Sequence, residues 1–305
     1  MTSGSLVSID FSVLESLAAD LEPALESHSI GRSGGRDEDP LSPADSPKPQ
    51  RVAIATLVFA LDAINFGSGY HDEVRKRPGL SGSRTMAASL RDHVDETGGL
   101  TADHLQMITK ADCYRIFGQD VSNETTGELM GLFSTALSEL GGFLERGGDA
   151  LQLIADAERS AEQLAEKLLE MPYYRDVHQL DGKAVSFYKR AQITAADLVR
   201  ELGEPLFDDL DELTAFADNL VPHVLRVDRA LIYDRELGAA IDQGHLLRPG
   251  GRAEIEIRAA GIVCVENLSE LTGTSAMDID LALWERGAGA QYKGVPRHRC
   301  RSVFY

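Results

Sequence analysis

Apolar residues recur at steps of three and four along this chain from Val52 onward. Such spacing is typical of amphipathic helices. Strand signals are weak, and even residues 252–271, where apolar and charged residues alternate in places, favour a helix in their helical context. The sequence therefore predicts an all-α chain with roughly ten or more helices. Two of the repeating sets are Val52, Leu57, Leu61, Ile64 and Leu151, Ile154, Ala161, Leu164, Leu168.

Helix ends follow from the positions of Gly and Pro. Residues 151–168 read as one helix that Pro172 stops, and a helix through residues 185–198 is closed by Gly203 and Pro205. The remaining helices are predicted over residues 208–219, 223–242, 252–271 and 278–286.

Composition divides the chain into three parts. Residues 1–30 are predicted to form an N-terminal helical segment, because apolar residues recur at helical steps over residues 9–27. Residues 31–50 are rich in Gly, Ser, Asp and Pro, a composition that predicts a flexible linker or loop. Residues 51–305 are predicted to form a single multi-helix domain.

The chain is acidic, with 30 Lys and Arg against 49 Asp and Glu and a net charge of −19. Nucleic-acid binding depends on basic residues, so we expect no direct nucleic-acid partner. A small substrate with one phosphate needs only a local basic pocket.

No apolar run approaches the roughly 18 residues of a membrane span, and no secretory signal is recognisable, so we expect a cytoplasmic protein without a membrane partner. The oligomeric state is not readable from the sequence.

Common cofactor, metal and nucleophile motifs are absent from the sequence. The 8 histidines show no HExxH spacing and the 3 cysteines no CxxC pair, so we expect no metal and no cofactor. The chain also lacks GxxxxGK[ST], a GxGxxG after a strand, and GxSxG. A binding protein remains possible on these grounds, as does a hydrolase that works with carboxylates alone.

Polar residues stand out first in residues 59–66, which are otherwise apolar. Asp62 and Asn65 lie three residues apart and share a helical face. Asn65 fits a helix C-cap before Gly67 equally well. Asp62 is harder to explain by structure alone, because a buried carboxylate needs a partner.

A second unusual segment covers residues 187–192. Lys189 and Arg190 stand beside Phe187 and Tyr188, and two cations with two aromatic rings could bind a phosphate and a ring. Surface charges next to core aromatics would give the same pattern.

The third segment ends in Asp218. The predicted helix over residues 208–219 places this carboxylate near a helix C-terminus, where the helix dipole is unfavourable to it by about 0.3–1 kcal/mol. We therefore expect a cationic partner or a functional demand to hold Asp218 there.

The fourth segment contains the only tryptophan. Asp280 and Trp284 are four residues apart on one predicted helix, where a carboxylate could accept from the N–H groups of a purine-like base and the indole could stack on it. Alternatively, Asp278 caps the helix and Trp284 packs in the core.

These segments together resemble the queuosine salvage protein family, and they occur in the family's order up to the C-terminus. The family usually continues Asn-Phe with Ser or Cys and then Phe-Trp, whereas this chain has Gly67-Ser-Gly-Tyr70. The matching stretches are Phe59-Ala-Leu-Asp-Ala-Ile-Asn-Phe66, Phe187-Tyr-Lys-Arg-Ala-Gln192, Leu213-Thr-Ala-Phe-Ala-Asp218, Glu254-Ile-Glu-Ile-Arg-Ala259, Asp278-Ile-Asp-Leu-Ala-Leu-Trp284 and His298-Arg-Cys-Arg-Ser-Val-Phe-Tyr305.

The resemblance implies a helical, glycosylase-like catalytic domain over residues 51–305, related to helix-hairpin-helix DNA glycosylases. It further implies hydrolysis of the N-glycosidic bond of queuosine 5′-phosphate, which releases queuine, a 7-deazaguanine, for reuse in tRNA. The expected partner is thus a small molecule, queuosine 5′-phosphate or queuosine.

The resemblance also suggests roles for individual residues. Asp218 is expected to stabilise the positive charge on the sugar, and Lys189 to contact the phosphate or ribose and keep Asp218 ionised. The residues expected to bind substrate are Phe66, Asp62, Asn65, Tyr188, Arg190, Asp280 and Trp284, with Asp280 at the base edge and Trp284 and Phe66 as stacking surfaces.

Three alternatives stay open at this stage. A nucleic-acid glycosylase would share the fold, although the net charge of −19 opposes it. A non-catalytic binding protein for a modified 7-deazaguanine base or nucleoside would share the carboxylates and rings. A helical scaffold without a small ligand would leave these polar groups exposed and apart.

Overall fold

The computed structural model describes residues 4–33 and 46–305 of the chain. Within these ranges it is mostly helical, with fourteen α-helices and four short strands, which confirms the mainly helical fold. Contacts divide the described chain into two compact units. The first unit holds residues 4–33, 176–189 and 211–301, and the second holds residues 46–175, 190–210 and 302–305. The linker predicted over residues 31–50 lies mainly outside the described residues, because residues 34–45 do.

The element order alternates long helices with short connections. The strands are β1 (Val7–Ile9), β2 (Val177–Leu180), β3 (Lys183–Ser186) and β4 (Leu231–Tyr233). The helices are α1 (Phe11–Ser33), α2 (Lys48–Ala63), α3 (Gly82–Thr97), α4 (Ala102–Met107), α5 (Lys110–Phe117), α6 (Glu124–Gly147), α7 (Ala150–Ala155), α8 (Ala161–Leu168), α9 (Lys189–Leu202), α10 (Val221–Val227), α11 (Arg235–Asp242), α12 (Arg252–Thr272), α13 (Ala276–Arg286) and α14 (Ala290–Lys293).

The first unit is built around α12, against which α1, α10 and α13 pack. The predicted N-terminal helix is confirmed as α1, and the helices predicted over residues 252–271 and 278–286 as α12 and α13. Gly261 permits the close approach of α10, since a Cβ there would lie 2.8 Å from Cγ of Pro222. Burial of Leu14, Leu17, Val224, Cys264 and Leu268 forms the core of this unit.

Two small antiparallel sheets complete the first unit, β1 with β4 and β2 with β3. The prediction of one helix over residues 223–242 is wrong, because β4 interrupts it between α10 and α11. The helix predicted to begin near Val185 is also wrong at its start. Val185 lies in β3, and Asp181 and Gly182 form the two-residue turn of the β2–β3 hairpin, with φ of 50° and 78°.

The second unit packs α2, α4, α5 and α7 against the long helix α6. Side chains of Leu129, Phe133, Leu137 and Leu140 line the buried face of α6. The single helix predicted over residues 151–168 is divided into α7 and α8. None of the helices within the described ranges is both long and apolar enough to cross a membrane.

Candidate active site

In the first unit, the β2–β3 hairpin leads directly to Lys189. The Phe187 N–H donates to the Asp176 carbonyl at 2.9 Å, which closes the end of the hairpin. Tyr188 follows in the left-handed region with φ of 50°, a conformation that costs a non-glycine residue free energy and is tolerated where the surroundings demand it. Lys189 then opens α9 and is 5% exposed.

The segment from Ala215 to Asp218 is held by side chains of α12 and α13. The Phe216 N–H donates to Oδ1 of Asp280 at 3.0 Å, and Arg258 Nε donates to the Ala217 carbonyl at 2.9 Å. The Ala217 N–H donates to the Ala215 carbonyl at 3.0 Å and forms a tight turn. Because these main-chain groups bond to side chains and to a local turn, the helix predicted over residues 208–219 does not form, apart from a 3-10 turn at Leu210–Glu212.

Asp218 lies before the start of a helix, which corrects the expectation that it ends one. Its Oδ1 accepts from the N–H groups of Leu220 at 2.6 Å and Val221 at 3.2 Å, at the first residues of α10. N–H groups at the start of a helix stabilise a carboxylate. The helix dipole therefore favours the Asp218 carboxylate and does not oppose it.

Arg258 is fully buried and pairs with two buried carboxylates. Its guanidinium donates to Asp176, and at 3.1 Å to Glu254, one turn earlier on α12. Burial alone would raise the pKa of Asp176, but His178 and Arg258 together hold it below the ordinary value. A buried charge is tolerated only with such partners, so this cluster must form as a whole.

The Arg258 cluster connects the Lys189 segment to the Asp218 segment. The guanidinium lies over the Phe187 ring, 4.0 Å from its centroid, while its Nε holds the Ala217 carbonyl. Phe187, Ala217 and Ile255 also form a small apolar cluster. Phe187 is two residues before Lys189 and Ala217 is next to Asp218, so one scaffold positions both chemical groups.

Asp280 belongs to the same group of charges. It is 5% exposed, and burial followed by the nearby charge of Asp218 raises its pKa well above the ordinary value, against the Phe216 N–H and Lys189. The structure thus brings both Asp218 and Lys189 within electrostatic reach of Asp280. Trp284 lies one turn further along α13 and is 39% exposed, so it is not a core tryptophan.

Arg297 is a neighbour of Asp218 that the sequence did not reveal. The Asn219 side chain donates to the His298 carbonyl at 3.1 Å. This hydrogen bond joins the two chain segments that contain Asp218 and Arg297. Burial lowers the pKa of Arg297, and Asp218 opposes this shift. Within residues 4–33 and 46–305, the guanidinium of Arg297 has no hydrogen bond or ion pair.

The other sequence-predicted residues lie in the second unit. Asp62 is buried at the last turn of α2, Asn65 follows that helix, and Phe66 meets Phe133 edge to face at 5.2 Å. Arg190 Nη1 donates to the Ala63 carbonyl at 2.5 Å, and the guanidinium lies 5.0 Å from the Phe66 ring centroid. This guanidinium therefore caps the end of α2, and its substrate-binding role stays a prediction.

No group of three or more His, Cys, Asp or Glu within the described ranges is arranged to hold a metal ion. The side chains of all three cysteines are buried. The charged neighbours of the two site carboxylates are Lys189, which acts on Asp280, and Arg297, on which Asp218 acts.

Comparison with known proteins identifies the family. The model of the family described as "Queuosine salvage protein" matches residues 45–305. The chain belongs to the queuosine salvage protein family. Among relatives of this family, a Sphaerobacter thermophilus protein is 36% identical over 276 residues, covering 84% of this chain and 82% of its own. A Bos taurus protein is 30% identical over 288 residues, covering 85% and 84%, and a Mus musculus protein is 31% identical over 287 residues. All three are named queuosine 5′-phosphate N-glycosylase/hydrolase.

Proposed function

We propose that this chain hydrolyses the N-glycosidic bond of queuosine 5′-phosphate and releases queuine. The observation that carries the proposal is the assembly of Lys189, Asp218 and Asp280 on one buried scaffold in the first unit. The names of its relatives in the queuosine salvage family supply the substrate.

Asp218 acts on the sugar in this proposal. Cleavage of the bond to C1′ passes through an oxocarbenium-like state, and an ionised carboxylate nearby stabilises its positive charge. Two N–H groups fix Oδ1 of Asp218, and its other oxygen can face the sugar or a water molecule.

Lys189 and Arg297 are the cations assigned to the phosphate and ribose. Arg297 is partly desolvated and has no hydrogen-bonding partner among the described residues. Its guanidinium is therefore available to donate two parallel hydrogen bonds to phosphate oxygens. Asp280 is assigned to the base, with Trp284 as a stacking surface one turn along α13. The substrate contacts suggested for Tyr188, Phe66, Asp62, Asn65 and Arg190 are retained as predictions.

Several broader features belong to the same proposal. The released queuine would return to tRNA, the protein would act in the cytoplasm, and its helical domain would be related to helix-hairpin-helix DNA glycosylases. The alternative is a non-catalytic carrier of a 7-deazaguanine, for which the same charges and ring would serve.

The test is incubation of the purified chain with queuosine 5′-phosphate and chromatography of the products. The proposal expects queuine and ribose 5-phosphate in equal amounts. Tight binding of intact queuosine 5′-phosphate with no product would support the carrier instead. Guanosine 5′-phosphate is the matched control substrate, since it differs in the base alone.

A further inference from the structure

The departing base poses a chemical problem that Asp218 does not solve. As the C1′–N9 bond breaks, the bonding electrons move to the base, and a proton on the base neutralises them. Purines are usually protonated at N7, but a 7-deazaguanine has carbon at that position. A donor elsewhere in the site must therefore serve the base, if the proposed function is correct.

Asp280 has the surroundings of a carboxyl group that keeps its proton. It is 5% exposed, Oδ1 accepts a single N–H from Phe216 at 3.0 Å, and Oδ2 has no hydrogen bond with the described residues. Asp218, by contrast, accepts two N–H groups at the start of a helix. A buried carboxylate with one donor is poorly stabilised, so the protonated form is favoured.

Two charged groups face Asp280 and act on its pKa in opposite directions, with a net rise. Asp218 comes from the segment before α10 and Lys189 from the start of α9. Burial and the like charge of Asp218 raise the pKa of Asp280, and this outweighs the opposing effects of the Phe216 N–H and Lys189. Two neighbouring carboxyl groups in unequal surroundings commonly divide the acid and base roles of a reaction between them.

We propose that Asp280 is the general acid of the reaction, donating its proton to the leaving base while Asp218 remains ionised beside the sugar. The C1′–N9 bond breaks with its electron pair going to the base, which takes the proton of Asp280 and leaves as neutral queuine. Water adds to C1′ and gives its proton to Asp218. That proton returns through solvent to Asp280, so the net change is the addition of one water across the bond.

Asp280→Asn separates this role from a structural one. The amide oxygen of Asn still accepts the Phe216 N–H, so the Ala215–Asp218 segment keeps its support, but the side chain has no acidic proton. Asp278→Asn is the matched control, because it removes the same charge two residues away on α13, where Asp278 bonds to the Ser275 hydroxyl.

The first measurement is the pH dependence of kcat for queuosine 5′-phosphate. The unaltered chain should lose activity tenfold per pH unit above the pKa of Asp280. Asp280→Asn should lower kcat by about 10²–10⁴-fold, the usual contribution of a general acid, and should abolish this alkaline fall. Asp278→Asn should keep both the rate and the profile.

The second measurement uses 4-nitrophenyl β-ribofuranoside 5-phosphate, whose nitrophenolate departs without a proton. Asp280→Asn should approach the rate of the unaltered chain on this compound, whereas a merely structural defect would lower both rates alike. Equal losses on both compounds, or an unchanged rate on queuosine 5′-phosphate, would overturn the acid role. If the unaltered chain itself releases no queuine, the proposed function fails instead, so the two failures are distinct.

Discussion

The guanidinium of Arg258 donates to the carbonyl oxygen of Ala217 at 2.9 Å, and so an arginine in the second turn of α12 holds the residue next to Asp218. The same guanidinium lies over the ring of Phe187, close to Lys189 in the chain. Two distant segments that carry proposed catalytic groups are therefore positioned by one buried side chain. Arg258 therefore positions the proposed catalytic residues, and this role can be tested separately from the chemical step.

Arg258→Lys should lower kcat by about tenfold or more while the dissociation constant for free queuine changes little. A lysine keeps the charge but cannot donate to Ala217, Asp176 and Glu254 in the same plane. Arg258→Met, which removes the cation that Asp176 and Glu254 share, should reduce the free energy of unfolding by about 3–5 kcal/mol in urea titrations. Arg252→Lys is the control: Arg252 is half-buried at the start of α12 and pairs with Asp181 and Glu256, a lysine keeps the charge for both, and neither quantity should change. A normal kcat for Arg258→Lys would show that this positioning is unimportant.

Arg297→Ala should raise KM for queuosine 5′-phosphate and leave KM for the nucleoside queuosine nearly unchanged. Loss of a charged contact to phosphate worth about 1.4–2.8 kcal/mol raises KM for queuosine 5′-phosphate by about 10–100-fold. Steady-state kinetics on queuosine should be nearly unchanged, because it has no phosphate. Arg248→Ala, at an exposed position of the same unit, serves as the control. An equal loss on both substrates would assign Arg297 to the ribose or to structure.

Folding stability should fall in mild acid because of His298. Burial, followed by His223 and nearby arginines, lowers the pKa of His298 to about 3, whereas the unfolded chain has the ordinary value of 6.5. Between these values the unfolded state binds the extra proton, so stability is complete above pH 6.5 and is lost progressively as the pH falls towards 3. The loss by pH 5 amounts to about 2 kcal/mol.

His298→Gln should flatten this pH dependence, as measured by urea unfolding at pH 7 and pH 5. His245→Gln, at an exposed histidine of the same unit, should leave the slope as it is. A slope that persists in His298→Gln would move the effect to other groups, of which His223 is the first to examine, since burial also lowers its pKa.

The helical fold was predictable because α1, α2, α12 and α13 carry their own apolar repeat. The errors arose where side chains compete with the helix for main-chain groups. At residues 213–217, the N–H of Phe216 and the carbonyl of Ala217 bond to Asp280 and Arg258, which are far away in the sequence. No local pattern predicts such partners.

The β2–β3 hairpin, in contrast, left a signal in the sequence. Asp181-Gly182 is a favoured pair for a two-residue hairpin turn, and both residues have positive φ in the structure. This pair separates Leu180 from Lys183, which face each other in the ladder. The helical pattern of the surrounding chain nevertheless favours a helix from Val185, where the structure has β3.

The candidate site was predictable in part. Residue type and the resemblance to the family predict Asp218, Lys189 and Asp280 as site residues, and all three lie in the first unit. Arg258 belongs to a matching stretch, and its spacing of four from Glu254 on an apolar helix face could have indicated a buried ion pair. Arg297 gave no such signal, because its proximity to Asp218 depends on the Asn219–His298 bond.

The most direct measurement of the central claim is single-turnover conversion of queuosine 5′-phosphate with enzyme in excess, comparing the unaltered chain with Asp218→Asn. The asparagine keeps an oxygen for the Leu220 and Val221 N–H groups, so folding and substrate binding should persist. We expect the unaltered chain to convert bound substrate to queuine, and Asp218→Asn to retain it intact, with a rate at least about 10³-fold lower. Release of queuine by Asp218→Asn at the rate of the unaltered chain would contradict the account.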